Sequence, residues 1–372
     1  MRNPTISYNV VFGSIELDSP YLWRKGSRSK PLVDNMGITH EGRSMAVERA
    51  LSDFGIEESF ACAAQRFKEH YHYELSPSSV DRTTHKTARE AQLYLESKLA
   101  EAGESYGEKP HGGSGGVEQM LIELDGCEIR TAELHPLEDC DEKTPVHQNP
   151  KKKKTIRWRE VRMGLARPLD SVSKCYVGKM DKYPVVIEQL FNAAVLSGMT
   201  PDTEVVAVGD GAIGMREELE SQFRNLQFIL DKPHLRGHFY ETAEELGLGK
   251  EQRSEWVEPK IEVISNGRLD QIMTKLEEQN TQRPNARLGR LIGYLERFGD
   301  ALNYESFRQR GFPVGSGEIE STHKSVPQKR LKLPGACWHP ESVDPMLALR
   351  VLRANGWWDD FWNTLTVNYL AA

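Results

Sequence analysis

Three short apolar runs, Met120–Leu124, Glu204–Val208 and Leu226–Leu230, each reach an aspartate within two residues, and this pattern constrains the 372-residue chain more than any other. Runs of this length, rich in Val, Ile and Leu, suit buried strands rather than helices. Helical segments are expected between them: Tyr183 to Leu196, opened by Pro184 and closed by Gly198, and Met215 to Phe223. Strands alternating with helices over 117–232 predict a central sheet covered by helices. The first strand is expected to end at Asp125-Gly126, with Cys127 to Leu134 returning as its hairpin partner. In the next strand Ile156 and Trp158 share one face, but the alternation then slips by one residue to Val161, Met163 and Leu165. That slip predicts a β-bulge near Arg159–Glu160.

The flanks carry other patterns. Residues 1–30 alternate around Val10, Phe12, Ile15 and Leu17 and turn basic from Trp23 to Lys30, as a β-hairpin or extended arm would. Ser44 to Phe54 and Ile56 to Tyr71 have helical spacing, and a third helix, capped at Ser76-Pro77-Ser78-Ser79, is expected to reach about Ala102. This N-terminal region, 1–102, reads as helix-turn-helix-like or as a plain helical bundle. Residues 103–116, ending HGGSGG, read as a linker. Residues 117–234 form the first part of the α/β core, 235–310 an all-helical insertion, and 311–372 the final helices with an aromatic cap, Gly356 to Trp362. No apolar run approaches the 18 or so residues of a membrane span, and the first residues lack a signal-peptide core. Five scattered cysteines without a CxxC pair fit a reducing cytoplasm and no disulfide framework.

The aspartates point to chemistry. A right-handed crossover would set the first two strands side by side and parallel, with Asp125 and Asp210 at the same end, where active sites of open α/β sheets gather. Two carboxylates held close repel each other, and a divalent cation removes that penalty. An oxygen-only ligand set favours Mg²⁺ or Mn²⁺. A third carboxylate from a helix would complete a site for two ions about 3.5–4 Å apart, of the kind that displaces phosphodiesters. The source is the stretch from Gly311 to Trp338, where the breaker cluster Pro313 to Gly317 precedes Glu318 and Glu320. Those two lie on different sides of a helix, so only one can meet the pair, and spacing leaves both open.

Beyond them come His323, Lys324, Lys329, Arg330 and Lys332 with no acid among them, then Trp338. With a net charge of −7, any nucleic-acid surface must be local. This segment is the first candidate: Lys324, Lys329, Arg330 and Lys332 for phosphates, and Trp338 for stacking on a base or sealing the helix. Arg82, Lys86 and Arg89 on the third N-terminal helix are the second.

Together, LDG at 124–126, GDGA at 209–212, LDKPH at 230–234, GSGEIES at 315–321 and RLKLPGACW at 330–338 resemble the Kra-type family of bacterial insertion-sequence transposases, which belong with the Mutator-like DDE transposases. The resemblance runs from about residue 11 to the end, and the last two motifs are its most specific part. It implies a ribonuclease H-like catalytic core in which Asp125 and Asp210 are the two aspartates and Glu320 the glutamate. It also implies that Asp231 and His234 match an Asp/Cys-x-x-His motif with a structural or DNA-positioning role. The chain departs from the family at Ile213-Gly214-Met215, where tryptophans are usual, and in lacking a cysteine pair near Trp23. The implied activity is cleavage and strand transfer of double-stranded DNA, at the element's terminal inverted repeats and at a target, with two Mg²⁺ or Mn²⁺ ions. The expected enzyme is a homodimer or larger, cytoplasmic and nucleoid-associated. The alternatives are a decayed transposase that binds DNA without cutting it, and a ribonuclease H-like nuclease of another role.

Overall fold

The computed structural model describes residues 5–20, 22–24, 27–32, 42–108, 116–136 and 152–371. Part of the expected linker (109–115) and most of the polar loop before Lys154 (137–151) lie outside them. The chain opens with a hairpin of β1 (Thr5–Val10) and β2 (Gly13–Asp18), then a minor pair, β3 (Leu22–Arg24) and β4 (Ser27–Ser29). Three helices follow: α1 (Met45–Glu57), α2 (Phe60–Tyr71) and α3 (Pro77–Glu104). Ser44, Ser59 and Ser76 each accept a backbone N–H from the first turn of the helix they precede, which fixes where all three start.

The core is a five-stranded mixed sheet ordered β7-β6-β5-β8-β9. Its strands are β5 (Gln119–Pro136), β6 (Lys152–Pro168), β7 (Cys175–Lys179), β8 (Glu204–Gly209) and β9 (Leu226–Leu230). β5, β6 and β7 are antiparallel, whereas β8 and β9 run parallel to β5. α4 (Tyr183–Leu196) makes the crossover into β8, and α5 (Met215–Gln222) links β8 to β9. Two adjacent ladder pairs identify what covers each face. A side chain at Gly164 would strike Leu190 of α4, while one at Gly178, which pairs with Met163, would strike Leu347 of α12 (Pro340–Ala354). So α4 and α12 lie on opposite faces, and α3 packs against both.

After β9 the chain is helical, as the sequence predicts: α6 (Lys232–Glu245), α7 (Lys250–Ser265), α8 (Leu269–Gln282), α9 (Ala286–Arg297) and α10 (Tyr304–Gln309). α11 (Gly317–His323) carries the paired glutamates, and α13 (Trp358–Ala371) closes the chain with Trp358, Phe361 and Trp362 buried. One apolar cluster runs from Leu95 and Leu99 on α3, through the sheet, to Ile261, Leu276 and Leu291 of the insertion. A smaller one joins α1, α2 and the start of α3 through Leu51, Phe67 and Val80.

Three expectations are corrected. β5 does not stop at Asp125-Gly126: its ladder with β6 runs unbroken from Met120↔Pro168 to Pro136↔Lys152, so Gly126 sits in a strand and not in a turn. The same register leaves no bulge at Arg159–Glu160. The alternation changes phase because the far half of the ribbon leaves the helix-covered part of the sheet: Ile156 and Trp158 are 43% and 59% exposed, while Val161, Met163 and Leu165 are buried on the other face. Finally, α3 is not a free-standing recognition helix. Ala88, Ala91, Leu95 and Leu99 belong to the main core, so a border at residue 102 falls at the end of an element shared by both regions.

Candidate active site

β5 and β8 pair in parallel from Gln119↔Glu204 to Glu123↔Val208, and continuing that register by two residues sets Asp125 opposite Asp210. Adjacent strands lie about 4.8 Å apart, so the two residues stand side by side at one end of the sheet, near enough for the Asp125 charge to act on Asp210. Asp210 accepts the Ala212 N–H at 2.9 Å, and Tyr294 of α9 donates its hydroxyl to the Asp210 carbonyl at 2.7 Å. Gly211 has φ +75°, and a Cβ there would come within 2.8 Å of Phe298 and 2.9 Å of Leu230, so only glycine fits. Burial, then the neighbouring Asp125 charge, raises the Asp210 pKa against the opposing Ala212 hydrogen bond and His234. His234 Nε2 stands 3.9 Å from Asp210 Oδ2, and His323 Nε2 stands 3.3 Å from Asp125 Oδ2. Burial alone would lower the His323 pKa, but Asp125 and the Cys127 thiol raise it to about 9.

Asp231 is 1% exposed and ties two elements together. One oxygen caps α6 by accepting the His234 N–H at 2.7 Å; the other accepts the Ser316 N–H at 2.7 Å and the Ser316 hydroxyl. The Lys232 N–H also reaches the Val314 carbonyl at 2.9 Å. The residue after β9 therefore fixes the loop that launches α11.

α11 lies over β5 and β6, parallel to β5. Near its start the Ile319 N–H donates to Glu123 Oε2 at 2.7 Å, and near its end His323 meets Asp125. No side chain caps α11 from Ser316, so the buried Glu123 carboxylate satisfies that orphan donor instead. Burial, the largest influence, pushes the Glu123 pKa up to about 7, with Glu318 adding to it. Sequence reading missed Glu123. The available signal was its position two before Asp125, which in a strand puts both on one face.

The two glutamates differ. Glu318 is held by Arg167, whose Nε lies 3.1 Å from both carboxylate oxygens, and by Lys174 at 2.8 Å. Although burial opposes it, those cations lower the Glu318 pKa. Successive helical residues turn by about 100°, so Glu320 emerges on the opposite flank, away from β6. It is exposed, and among the described residues its carboxylate has no hydrogen bond or ion pair. Among the described residues no group of three or more His, Cys, Asp or Glu side chains is gathered closely enough to hold a metal ion. The structure thus pairs Asp125 with Asp210 and leaves Glu320 on the neighbouring helix.

No protein-family model matches the chain, and no curated protein matches it. Among solved structures it is similar to a Drosophila P element transposase strand transfer complex, with a TM-score of 0.37 and 10% identity over 84% of this chain and 92% of that one. A likeness at that level has no bearing on function.

The basic candidates divide sharply. Lys324 and Lys332 are exposed. Lys329 is half-exposed and pairs with Glu57 of α1, which also pairs with Arg350. Arg330 is only 3% exposed: its Nε donates to the Gly55 carbonyl at 2.8 Å, and its guanidinium lies 4.6 Å from the Phe60 ring centre and 4.7 Å from that of Trp338. Desolvation lowers its pKa to about 10. Trp338 is buried too; its indole donates to the Leu331 carbonyl, and its backbone joins the edge of β5 beside Thr131, beyond the end of β8. Arg330 and Trp338 are therefore interior residues, not surface contacts for a phosphate backbone. Between α11 and a further turn, Lys329–Leu331, the segment Lys324–Gln328 is π-helical. On α3, Arg82 and Arg89 are exposed, and Lys86 pairs with Glu48.

Proposed function

We propose that this chain is a DNA transposase with a ribonuclease H-like core, cutting and rejoining phosphodiester bonds. The observation that carries the reading is Asp125 opposite Asp210 on adjacent parallel strands, with the glutamate helix α11 laid along the first of them. The supporting topology is three antiparallel strands followed, through a crossover helix, by two parallel ones on the far side of the first.

Asp125, Asp210 and Glu320 would hold two Mg²⁺ or Mn²⁺ ions. The donor set fits such ions: the three carboxylates offer hard oxygens, and the Asp210 pKa, raised by burial and by the Asp125 charge, reflects a repulsion that a cation would relieve, although His234 and His323 also stand beside the two aspartates. When bound, the ions supply activation of a water or 3′-hydroxyl and stabilisation of the leaving oxygen. The chain's own part is placement. Asp231 anchors the start of α11, Glu123 satisfies its first turn, and Glu318, locked by Arg167 and Lys174, sets its rotation. That rotation leaves Glu320 on the free flank as the third ligand. On this reading the partner is double-stranded DNA, as terminal inverted repeats and target, bound by a homodimer or larger assembly in the bacterial cytoplasm at the nucleoid. Lys324, Lys329 and Lys332, with Arg82 and Arg89, offer phosphate contacts.

The exposed Glu320, apart from any three-residue cluster, favours one second reading: a protein that binds DNA without cutting it. A single comparison separates the two. Nicking of a supercoiled plasmid and of element-end duplexes is measured with Mg²⁺, with Mn²⁺ and in EDTA, for wild type and Asp210→Asn. Cleavage that needs the metal and vanishes in Asp210→Asn, with DNA binding retained, supports the enzyme. Binding without metal-dependent cleavage supports the alternative.

A further inference from the structure

Beside the buried Arg330 lies a cavity of about 440 Å³ that neither aspartate lines. Its walls include the rings of Phe60, His85 and Trp338, together with Leu333, Asp81 and Arg330 itself. The rings form one cluster: Phe60 and His85 are 5.6 Å apart between centres, and His85 and Trp338 are 6.2 Å apart. Asp81 pairs with His85 Nδ1 at 2.7 Å and keeps 46% of its side chain exposed. Arg330 commits only Nε, to the Gly55 carbonyl; among the described residues its two terminal nitrogens have no hydrogen-bond partner, although the residue is 3% exposed. Neither terminal nitrogen is sealed from solvent, so both stay available as donors on a side chain that lines an open space.

We propose that this cavity receives an extrahelical guanine base of the bound DNA. Aromatic and apolar walls suit the flat faces of a base. A guanidinium fork matches the adjacent acceptors O6 and N7 of guanine, whereas adenine sets an amino donor beside N7 and opposes it. Asp81, whose charge acts on the same guanidinium, supplies the acceptor for the N1 and N2 hydrogens of guanine. The position suits a DNA-bound enzyme. Trp338 bridges β5 at Thr131, six residues beyond Asp125, which is about 20 Å at strand rise. That is about six base-pair steps along B-form DNA. The inference rests on the chain's binding DNA as proposed above.

The test measures binding of full-length protein in EDTA, by fluorescence anisotropy, to duplexes carrying one bulged guanine, one bulged adenine or no bulge. The bulged-guanine duplex is expected to bind about tenfold more tightly than the bulged-adenine one. Guanosine monophosphate is expected to compete that gain away where adenosine monophosphate does not. The preference is expected to fall to near unity in Arg330→Lys, which keeps the charge but not the fork, and in Asp81→Asn, at a half-exposed position that folding tolerates. Equal binding of the two bulges overturns the proposal. So does a preference that guanosine monophosphate leaves untouched, or one that survives in Asp81→Asn. Because no metal or cleavage enters the assay, the cavity and the catalytic reading fail separately: loss of cleavage leaves the base preference measurable, and titration with guanosine monophosphate tests the cavity even without DNA binding.

Discussion

Replacing Asp231 by alanine removes three hydrogen bonds at once, two of them from Ser316, which is itself 8% exposed. Loss of the α6 cap costs about 1 kcal/mol. Each Ser316 bond to a carboxylate is worth about 1.5–3 kcal/mol, and the Ser316 N–H is left buried without a partner. Allowing for overlap between the two, the expected loss is about 3–5 kcal/mol, a large part of a typical stability of about 5–15 kcal/mol. Asp231→Asn keeps the capping oxygen but turns an amide donor towards the Ser316 N–H, for an expected loss of about 2–3 kcal/mol. Ser316→Ala loses only the hydroxyl contact and leaves the Ser316 N–H on the carboxylate, for about 1.5 kcal/mol, the low end of that range. Urea unfolding followed by circular dichroism measures all three, and combining Asp231→Asn with Ser316→Ala closes a cycle that isolates the pair. The order Ala > Asn > Ser316→Ala is the expected result. An Asp231→Ala variant within about 1 kcal/mol of wild type would refute the clamp, and with it the account of how α11 is held over β5.

Other outcomes follow from the same contacts. Gly211→Ala, at φ +75° with Phe298 and Leu230 in the way, is expected to cost about 2 kcal/mol or more in urea unfolding. For Glu57, burial raises the pKa but the Lys329 and Arg350 charges lower it below the ordinary value, so its contribution is full above about pH 4.3 and fades as pH falls through the lower folded value. Glu57→Gln should therefore lower stability at neutral pH and flatten its acid dependence there, read from melting temperature against pH. The double change of Lys324 and Lys332 to alanine is expected to reduce the slope of log affinity against log salt by about 1–2 units. Arg330→Ala is expected to leave that slope unchanged and to lower the melting temperature, since its guanidinium packs on Phe60 and Trp338. A salt series and a thermal melt separate these two effects.

The strands and helices of the core were readable because their signals are local. Leu226–Leu230 and Tyr183–Leu196 fall where apolar runs and the Pro-to-Gly frame put them. The pairing of Asp125 with Asp210 was also within reach, since crossover handedness and a common strand end suffice. What misled was distance. The slip at Ile156 and Trp158 looked like a bulge because sequence does not show where the covering helices stop. Arg330 looked like a surface cation because its neighbours do, yet its partners, Gly55 and Phe60, are some 270 residues away in the chain. Glu318 and Glu320 were indistinguishable by spacing; Arg167 on β6 and Lys174 in the loop before β7 give them different surroundings. Glu123 was passed over because a lone acid in an apolar run has no local partner, and its partner is a backbone N–H of a helix formed nearly two hundred residues later.

The long helix α3 has a consequence for anyone dividing the protein. Its 28 residues make a rod about 42 Å long, rooted at one end among α1 and α2 and at the other between α4 and α12. A cut made after it strips Ala88, Ala91, Leu95 and Leu99 from the sheet's covering and bares a greasy furrow on what remains. A cut before it leaves α1 and α2 without the surface they fold against. Fragments that survive purification on their own would have to be carved elsewhere, and the upstream helices and the sheet should melt in a single transition rather than as two beads on a string.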